Sequence, residues 1–553
     1  MLATLALLVL AAISGQPTDA AANEMDLPTL YRKLLPSTCW IVVRDPGNPD
    51  AFHMGTGWVF DQKRRIVVTN DHVVGERETA EVHFPVERDL QTVVSPREYL
   101  NDFEPIRATV VDTDPARDLA VLRLDRIPPS AKSVPLADRL PEPGERVMTI
   151  AGLPEGSEGL WIMSAGVVRL AYRRSHANGA VAGVVETDLP FNRGNSGGPV
   201  VNARGELVSV VEGFTTNARL VSMTIDVREV RDYMDETERY IEPASAADFN
   251  DRGERHHNAG RYNLALEDYG QALKLDPTLA LAHVNRGWVF YHREDYQTAI
   301  LEFDDALKLD ADNVSAYDGR GTCRRELGDY ERALADVSEA IRRAPGDASL
   351  YFRRANTLRK AGRLAPSLAD YDRAVERAPE EADHWGTRGQ VHRELKRFQE
   401  AARDIREAWR LEPQRAMWCY ELGYVFHDQG ANEQAYALYT AAIQLDDQSP
   451  EFFNNRGVVL NHLKRHEEAI ADFQAAIRLR PDRANYYERM GDSLWHLERY
   501  PEALAYYNEA IRLDPERASA WRSRGDVYKE LGNAKAAQAD YNKADQIEKN
   551  PRD

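Results

Sequence analysis

The sequence predicts two domains of different class: an all-β domain, a sandwich or barrel, followed by an all-α solenoid. Three observations carry this. Short Val- and Ile-rich runs broken by Gly, Asp, Asn and Pro fill residues 37–227. A 34-residue period runs from residue 246 to the C-terminus without an insertion. At 553 residues the chain is also too long for a single core.

The chain opens on "MLATLALLVLAAISGQPTDAAANEMD". An apolar run from Leu2 to Ile13, too short for a comfortable membrane span, precedes Ala20 and Ala22, a small-residue cleavage site. Residues 1–22 are therefore expected to be a signal peptide, with the protein secreted or held in the periplasm or cell envelope. Left uncleaved, the same segment would anchor it. The formal net charge of −19 argues against a nucleic-acid groove or an anionic membrane surface as the main partner. Cys39, Cys323 and Cys419 are too scattered for a disulfide framework or a zinc site, so core packing alone must hold the domains.

The β-rich region reads as "TCWIVV" (38–43), "GTGWVFD" (55–61), "RIVVTN" (65–70), "DLAVLRL" (118–124), "RVMTIAG" (146–152), "SAGVVRLAYR" (164–173), "PVVNARGELVSVVEGF" (199–214) and "LVSMTID" (220–226). No regular strand–helix alternation appears, which excludes a parallel α/β core. The texture changes at Asp226. Residues 227–241 have helical spacing, with Val227, Val230, Tyr233 and Met234 on one side, and "EPASAAD" (242–248) reads as a linker. The expected first domain is thus residues 23–241.

In the periodic region, Gly253, Gly287, Gly321, Gly389, Gly423, Gly457, Gly491 and Gly525 share one register, with Ala355 standing in once. Twelve residues after each comes Ala or Ser, sixteen after comes a bulky residue such as Tyr269 or Phe303, and Pro277, Pro345, Pro379, Pro413, Pro481 and Pro515 close most units. Small residues let helices approach, the bulky one fills the gap, and proline stops the second helix. This pattern resembles the tetratricopeptide repeat, nine units over residues 246–553. The resemblance implies a solenoid with a peptide- or protein-binding groove. Trp288, Tyr291, Tyr420, Tyr424 and Trp495 fall on first helices and are candidate groove residues; packing against a neighbouring helix is the competing reading for each.

The first region holds one candidate for each part of acyl transfer from a hydroxyl: a nucleophile, a base, an orienting acid and oxyanion donors. Ser196 is displayed within "FNRGNSGGPVVN" (191–202), where the Gly194 and Ser196 amides can point at one spot. His72 follows a β-rich run in "VVTNDHVV", and Asp118 opens "DLAVLRL". Asp112 and Asp114 are weaker rivals because neither opens the apolar run. Asp71 is expected to point to solvent, since adjacent strand residues face opposite sides. His53, His83 and His176 are expected on the surface. The pair His256–His257 does not make a metal site, and "GTGWVF" lacks the lysine and helix of a nucleotide loop.

Together, "GTG" (55–57), "TNDHVV" (69–74), "DLAVL" (118–122) and "GNSGGP" (194–199) resemble the trypsin-like serine proteases, in particular their disulfide-free Deg/HtrA-like branch. The likeness covers roughly residues 35–235, in the family's order of His, Asp and Ser. It implies a trypsin-like double β-barrel with His72 as general base, Asp118 as its orienting carboxylate, Ser196 as nucleophile, and the Gly194 and Ser196 amides as the oxyanion hole. It also puts Pro190, beside Phe191, at the base of the primary pocket. Asp188 is two positions away, so the pocket is expected to be uncharged and to favour small or medium aliphatic residues. Two departures stand out: repeats replace the PDZ modules usual in that branch, and no "IVGG"-like activation sequence follows the leader.

The function so expected is a serine endopeptidase whose solenoid recruits protein substrates or partners, without cofactor, metal or nucleic acid. The alternative is a scaffold whose peptidase-like domain is inert or latent.

Overall fold

The computed structural model describes residues 24–45, 47–152, 159–175, 181–190, 194–214 and 222–549. The expected signal peptide and Phe191 lie outside them. Contacts divide the chain into two units that meet between Leu309 and Asp310.

The first unit begins with the helix α1, Leu27–Leu34, capped by the Asp26 side chain. Strands β1 (Thr38–Asp45), β2 (Asn48–Asp61), β3 (Ile66–Thr69) and β4 (Thr79–His83) follow, with the four-residue helix α2, Asp71–Val74, between β3 and β4. A small ribbon of β5 (Glu87–Arg88) and β6 (Gln91–Thr92) and the helix α3 (Pro96–Asp102) precede β7 (Ile106–Asp114) and β8 (Leu119–Leu124). These strands close a barrel in the order β1-β2-β3-β8-β7-β4. A second barrel, in the order β10-β11-β14-β13-β12-β9, takes β9 (Arg146–Ala151), β10 (Ile162–Ser175), β11 (Val181–Thr187), β12 (Pro199–Asn202), β13 (Leu207–Phe214) and β14 (Ser222–Asp226). Between sandwich and barrel, the structure is two closed six-stranded antiparallel barrels.

Strand β1 shows why its sequence is continuously apolar. Alternate residues face opposite ways, and both faces are covered. Cys39, Ile41 and Val43 fill the first barrel with Val59, Val67 and Leu122. Trp40 and Val42 pack instead with Met148, Ile150 and Val210 of the second barrel. Helix α4, Val227–Ile241, starts on the Asp226 carboxylate, which accepts from the amides of Arg228 and Glu229, and it buries Val227, Val230, Tyr233 and Met234 as its spacing predicts.

Residues 242–248 do not all serve as a linker: Ser245 and Asp248 form a reciprocal cap for α5, Ala246–Asn258. Helix α5 and α6 (Tyr262–Leu275) form the first hairpin, and Ala280–His292 with Tyr296–Leu309 the second, both within the first unit. The second unit holds seven further hairpins between Val314 and Lys549. The shared glycine is a close-approach position: a Cβ on Gly287 would lie 2.8 Å from the Phe303 ring.

A second period supports these hairpins. Arg252, Arg320, Arg354, Arg388, Arg456 and Arg524 on first helices each grip the aspartate sixteen residues on, and Arg286 pairs with Glu302 in the same way. The remaining two hairpins have Leu422 and Met490 in the arginine register, and they carry Leu438 and Tyr506 in place of the acid. The exchange is paired because a buried charge without its partner costs far more than an apolar pair.

Among the histidines expected on the surface, His53 is exposed and His176 lies outside the described residues. His83 is a correction: it is 4% exposed, packed between Trp40 and Tyr99 with ring centroids 5.3 and 5.9 Å away. It ends β4 on the side facing Trp40, its register partner on β1.

Candidate active site

His72 and Asp118 are in direct contact, and Ser196 lies in the same region: a Cβ on Gly55 would sit 2.6 Å from Val73, next to His72, and 3.0 Å from Ser196 O. His72 stands in α2, directly after β3. Its Nδ1 lies 2.7 and 3.0 Å from the two Asp118 carboxylate oxygens, and its amide donates to Asp118 Oδ1 at 3.0 Å. An ionised carboxylate only accepts, so Nδ1 carries the proton and Nε2 is left as the base. Asp118 adopts φ +54°, left-handed for a non-glycine residue, and Asn70 Nδ2 holds its carbonyl at 2.7 Å. Backbone strain of this kind persists where neighbours over-determine it. The rival Asp112 is 1% exposed and is taken by Thr237 and Arg255. Asp114 caps the turn at Ala116 and Arg117.

Partial burial of the His72 ring pulls its pKa down, but the hydrogen bond and charge of Asp118, with the charges of Asp71 and Glu212, outweigh it and leave the pKa above the ordinary value. Asp71 corrects a sequence expectation. Residues 71–74 are helical, so strand alternation does not apply. Its side chain is half-buried and lies 3.8 Å from Arg261 Nη2, whose charge opposes the burial that raises its pKa.

The Ser196 loop is framed by the first barrel. The amide of Thr56 donates to Ser196 O at 2.8 Å, and its hydroxyl donates to Gly194 O at 2.7 Å. These bonds use the two carbonyls; the Gly194 and Ser196 amides donate to no acceptor among the described residues. Gly197 has φ +82°, and a Cβ there would sit 2.2 Å from both Thr56 O and Thr69 Oγ1. Only glycine fits this approach. The Ser196 hydroxyl donates to Glu212 O at 3.4 Å. Pro190, six residues before the serine, is exposed.

The five candidate groove aromatics are all half-buried, and they separate. Trp288 packs on Tyr291 and Phe303, both with centroids 5.5 Å away. Tyr420 packs on Phe452 at 4.8 Å, and Tyr424 lies under the Arg393 guanidinium at 4.3 Å. Trp495 lines a cavity of about 390 Å³ with Asn461, His462, Arg489 and Asp492. Burial raises the Asp492 carboxyl to about 6.

Two antiparallel barrels with serine, histidine and aspartate gathered in one region, followed by helical hairpins, define a peptidase-type fold joined to a repeat array. The trypsin-like peptidase domain model matches residues 55–210. Tetratricopeptide repeat models match residues 253–292, 319–382, 352–416, 423–463, 451–516 and 488–551. The chain therefore carries a trypsin-like peptidase domain followed by tetratricopeptide repeats. Among curated proteins, "Probable periplasmic serine endoprotease DegP-like" of Pseudomonas fulva (strain 12-X) is 29% identical over 188 residues, 33% of this chain and 35% of that protein. The protein of the same name in Marinomonas sp. (strain MWYL1) is 31% identical over 162 residues, 28% of this chain and 29% of that one. The chain thus spans about a third of the length of these relatives. Among solved structures, the active form of the Rv3671c protease from M. tuberculosis is 22% identical, with a TM-score of 0.31 over 38% of this chain and 87% of that one.

Proposed function

We propose that this protein is a serine endopeptidase of the cell envelope whose helical array recruits protein substrates or partners. The observation that carries the reading is the double grip of one Asp118 carboxylate on His72, at both the amide and Nδ1, beside a serine loop whose Gly194 and Ser196 amides have no partner among the described residues. In this reading His72 Nε2 takes the Ser196 proton as the hydroxyl turns from Glu212 O and attacks a peptide carbonyl. The proton then passes to the leaving amine, and water, activated the same way, releases the acyl group. The Gly194 and Ser196 amides receive the oxyanion, each donor contributing on the order of 3 kcal/mol. The exposed Pro190 and the absence of an acid at that position support a pocket for uncharged side chains. The envelope location is supported by the apolar leader and by the periplasmic names of the relatives.

The array would raise the local concentration of a docked substrate. The Trp495 cavity is the surface that best supports such docking. A fluorophosphonate probe tests the peptidase: labelling of wild type on the Ser196 peptide, lost in Ser196→Ala, is expected. A folded wild type that stays unlabelled, alone and with array ligands, would overturn it.

A further inference from the structure

Arg261 belongs to the helical array, at the junction of α5 and α6, yet it is only 2% exposed. Its guanidinium is spent on the peptidase domain. Nε donates to Arg77 O at 3.0 Å, Nη2 to Gly75 O at 2.5 Å and Nη1 to Thr113 Oγ1 at 3.0 Å, with Asp71 Oδ1 3.8 Å away. These groups surround the short helix that carries His72. Asp71 opens it, Gly75 caps it and Arg77 follows it, while Thr113 lies on β7.

The repeat itself does not require this burial. At the same register in later units, Arg363, Arg465 and Arg499 have side chains 46%, 33% and 39% exposed and pair with nearby glutamates. Arg397 is exposed as well, and the other units have Asp295, Asp329, Ala431 or Asn533 there. A planar fork of five donors suits three acceptors at fixed angles, which a lysine ammonium cannot reach together. Neighbouring contacts press the same hairpin onto the barrel. Asn263 donates from its amide and side chain to Glu78 at 2.8 and 3.1 Å, Arg255 grips Asp112, and Leu264 packs on the first-barrel core.

We propose that Arg261 is a positioning residue for His72, so that the first helical hairpin is a working part of the peptidase site. This rests on the peptidase reading above, which it deepens: the array then does more than recruit, because its first unit holds the base in place. The charged groups facing His72 are Asp118 ahead of β8, Asp71 on its own helix and Glu212 on β13. Arg261 counters the second of these.

The test uses the full chain with Arg261→Met and Arg261→Lys. Three quantities are read: amide exchange of residues 71–77, the pH midpoint of the His72 ring by carbon-13 NMR, and the rate of fluorophosphonate labelling. In Arg261→Met, exchange of residues 71–77 should rise at least tenfold while the second barrel keeps its protection. The His72 midpoint should move up, because Asp71 is no longer countered, and labelling should slow by about tenfold or more. Arg261→Lys should restore the midpoint, since it keeps the charge, but not the exchange protection. Unchanged exchange and midpoint in Arg261→Met would overturn the proposal.

If that variant unfolds the whole barrel, Thr113→Val decides, since it removes one of the three acceptors that hold the Arg261 guanidinium: a local rise in exchange supports the proposal, and none overturns it. Failure of the peptidase reading looks different. Wild type would then stay unlabelled while exchange and midpoint still report whether Arg261 positions His72.

Discussion

The paired exchange of charge in the repeats can be tested as a thermodynamic cycle at Arg388 and Asp404. Asp404 is fully buried, and its carboxylate accepts from Arg388 Nε at 2.7 Å and Nη2 at 2.9 Å. Arg388→Leu removes both bonds and leaves Arg403 at 3.7 Å as the nearest cation; His392, 3.8 Å away, has its pKa lowered by burial and stays neutral near neutral pH. Hydrogen bonds to charged groups contribute about 1.5–3 kcal/mol each, and breaking a buried pair typically costs 3–5 kcal/mol. Arg403, which keeps a partial counter-charge beside Asp404, places the expected cost near the low end, about 3 kcal/mol. Asp404→Leu should cost less, about 2 kcal/mol, because Arg388 keeps Asp372 at 2.9 Å on the exposed side. The double variant should cost about 1 kcal/mol or less, since it recreates the Leu422–Leu438 arrangement that packs in one apolar cluster. Repeat arrays open unit by unit, so native-state amide exchange over residues 382–411 is the suitable assay. Single-variant costs that simply add in the double variant would refute the reasoning.

Asp118→Asn keeps the shape of the orienting residue but lets Nδ1 lose its proton. The labelling rate of Ser196 should fall by roughly 10⁴, and the His72 midpoint should drop, since the carboxylate is the main influence opposing burial; an unchanged rate would remove Asp118 from the mechanism. His83 gives a stability effect of defined sign. Burial holds its folded pKa down at about 4, against about 6.5 in the unfolded chain. Between those values the unfolded state binds the extra proton, so the contribution is complete above about pH 6.5 and falls as pH drops towards 4, by roughly 3 kcal/mol in all. His83→Phe should therefore lose less Tm between pH 7 and 4.5 than wild type; equal losses would show that another group governs acid unfolding.

The periodic half of the chain was the more legible, because one helical hairpin per 34 residues repeats its spacing in every unit. The arginine–aspartate register is equally regular at a separation of sixteen, but charged residues on a helix are ordinarily solvated, and only the folded hairpins show these aspartates to be buried. In the first domain, short motifs marked His72, Asp118 and Ser196 for one region, but the environment of each was not local in sequence. Asp71 follows a β-rich run, but a four-residue helix that strand alternation does not anticipate turns it inward. Its partner Arg261 lies 190 residues away, beyond any pattern short enough to notice. His83 followed the alternation of β4 onto the face covered by Trp40, and only the register of β1 on β4 shows that this face is buried.

The Thr56 hydroxyl donates to Gly194 O and accepts the Gly152 amide at 2.8 Å, so it ties the serine loop to both barrels. Gly197 completes the loop only when its amide reaches Val211 O at 2.9 Å. Synthesis proceeds from the N-terminus, so His72 and Asp118 are made, and their barrel can close, before the loop has anything to brace it. Under the peptidase reading, hydrolytic competence is the last property the domain acquires. On that reading, a chain halted before residue 211 carries a base with no shaped nucleophile.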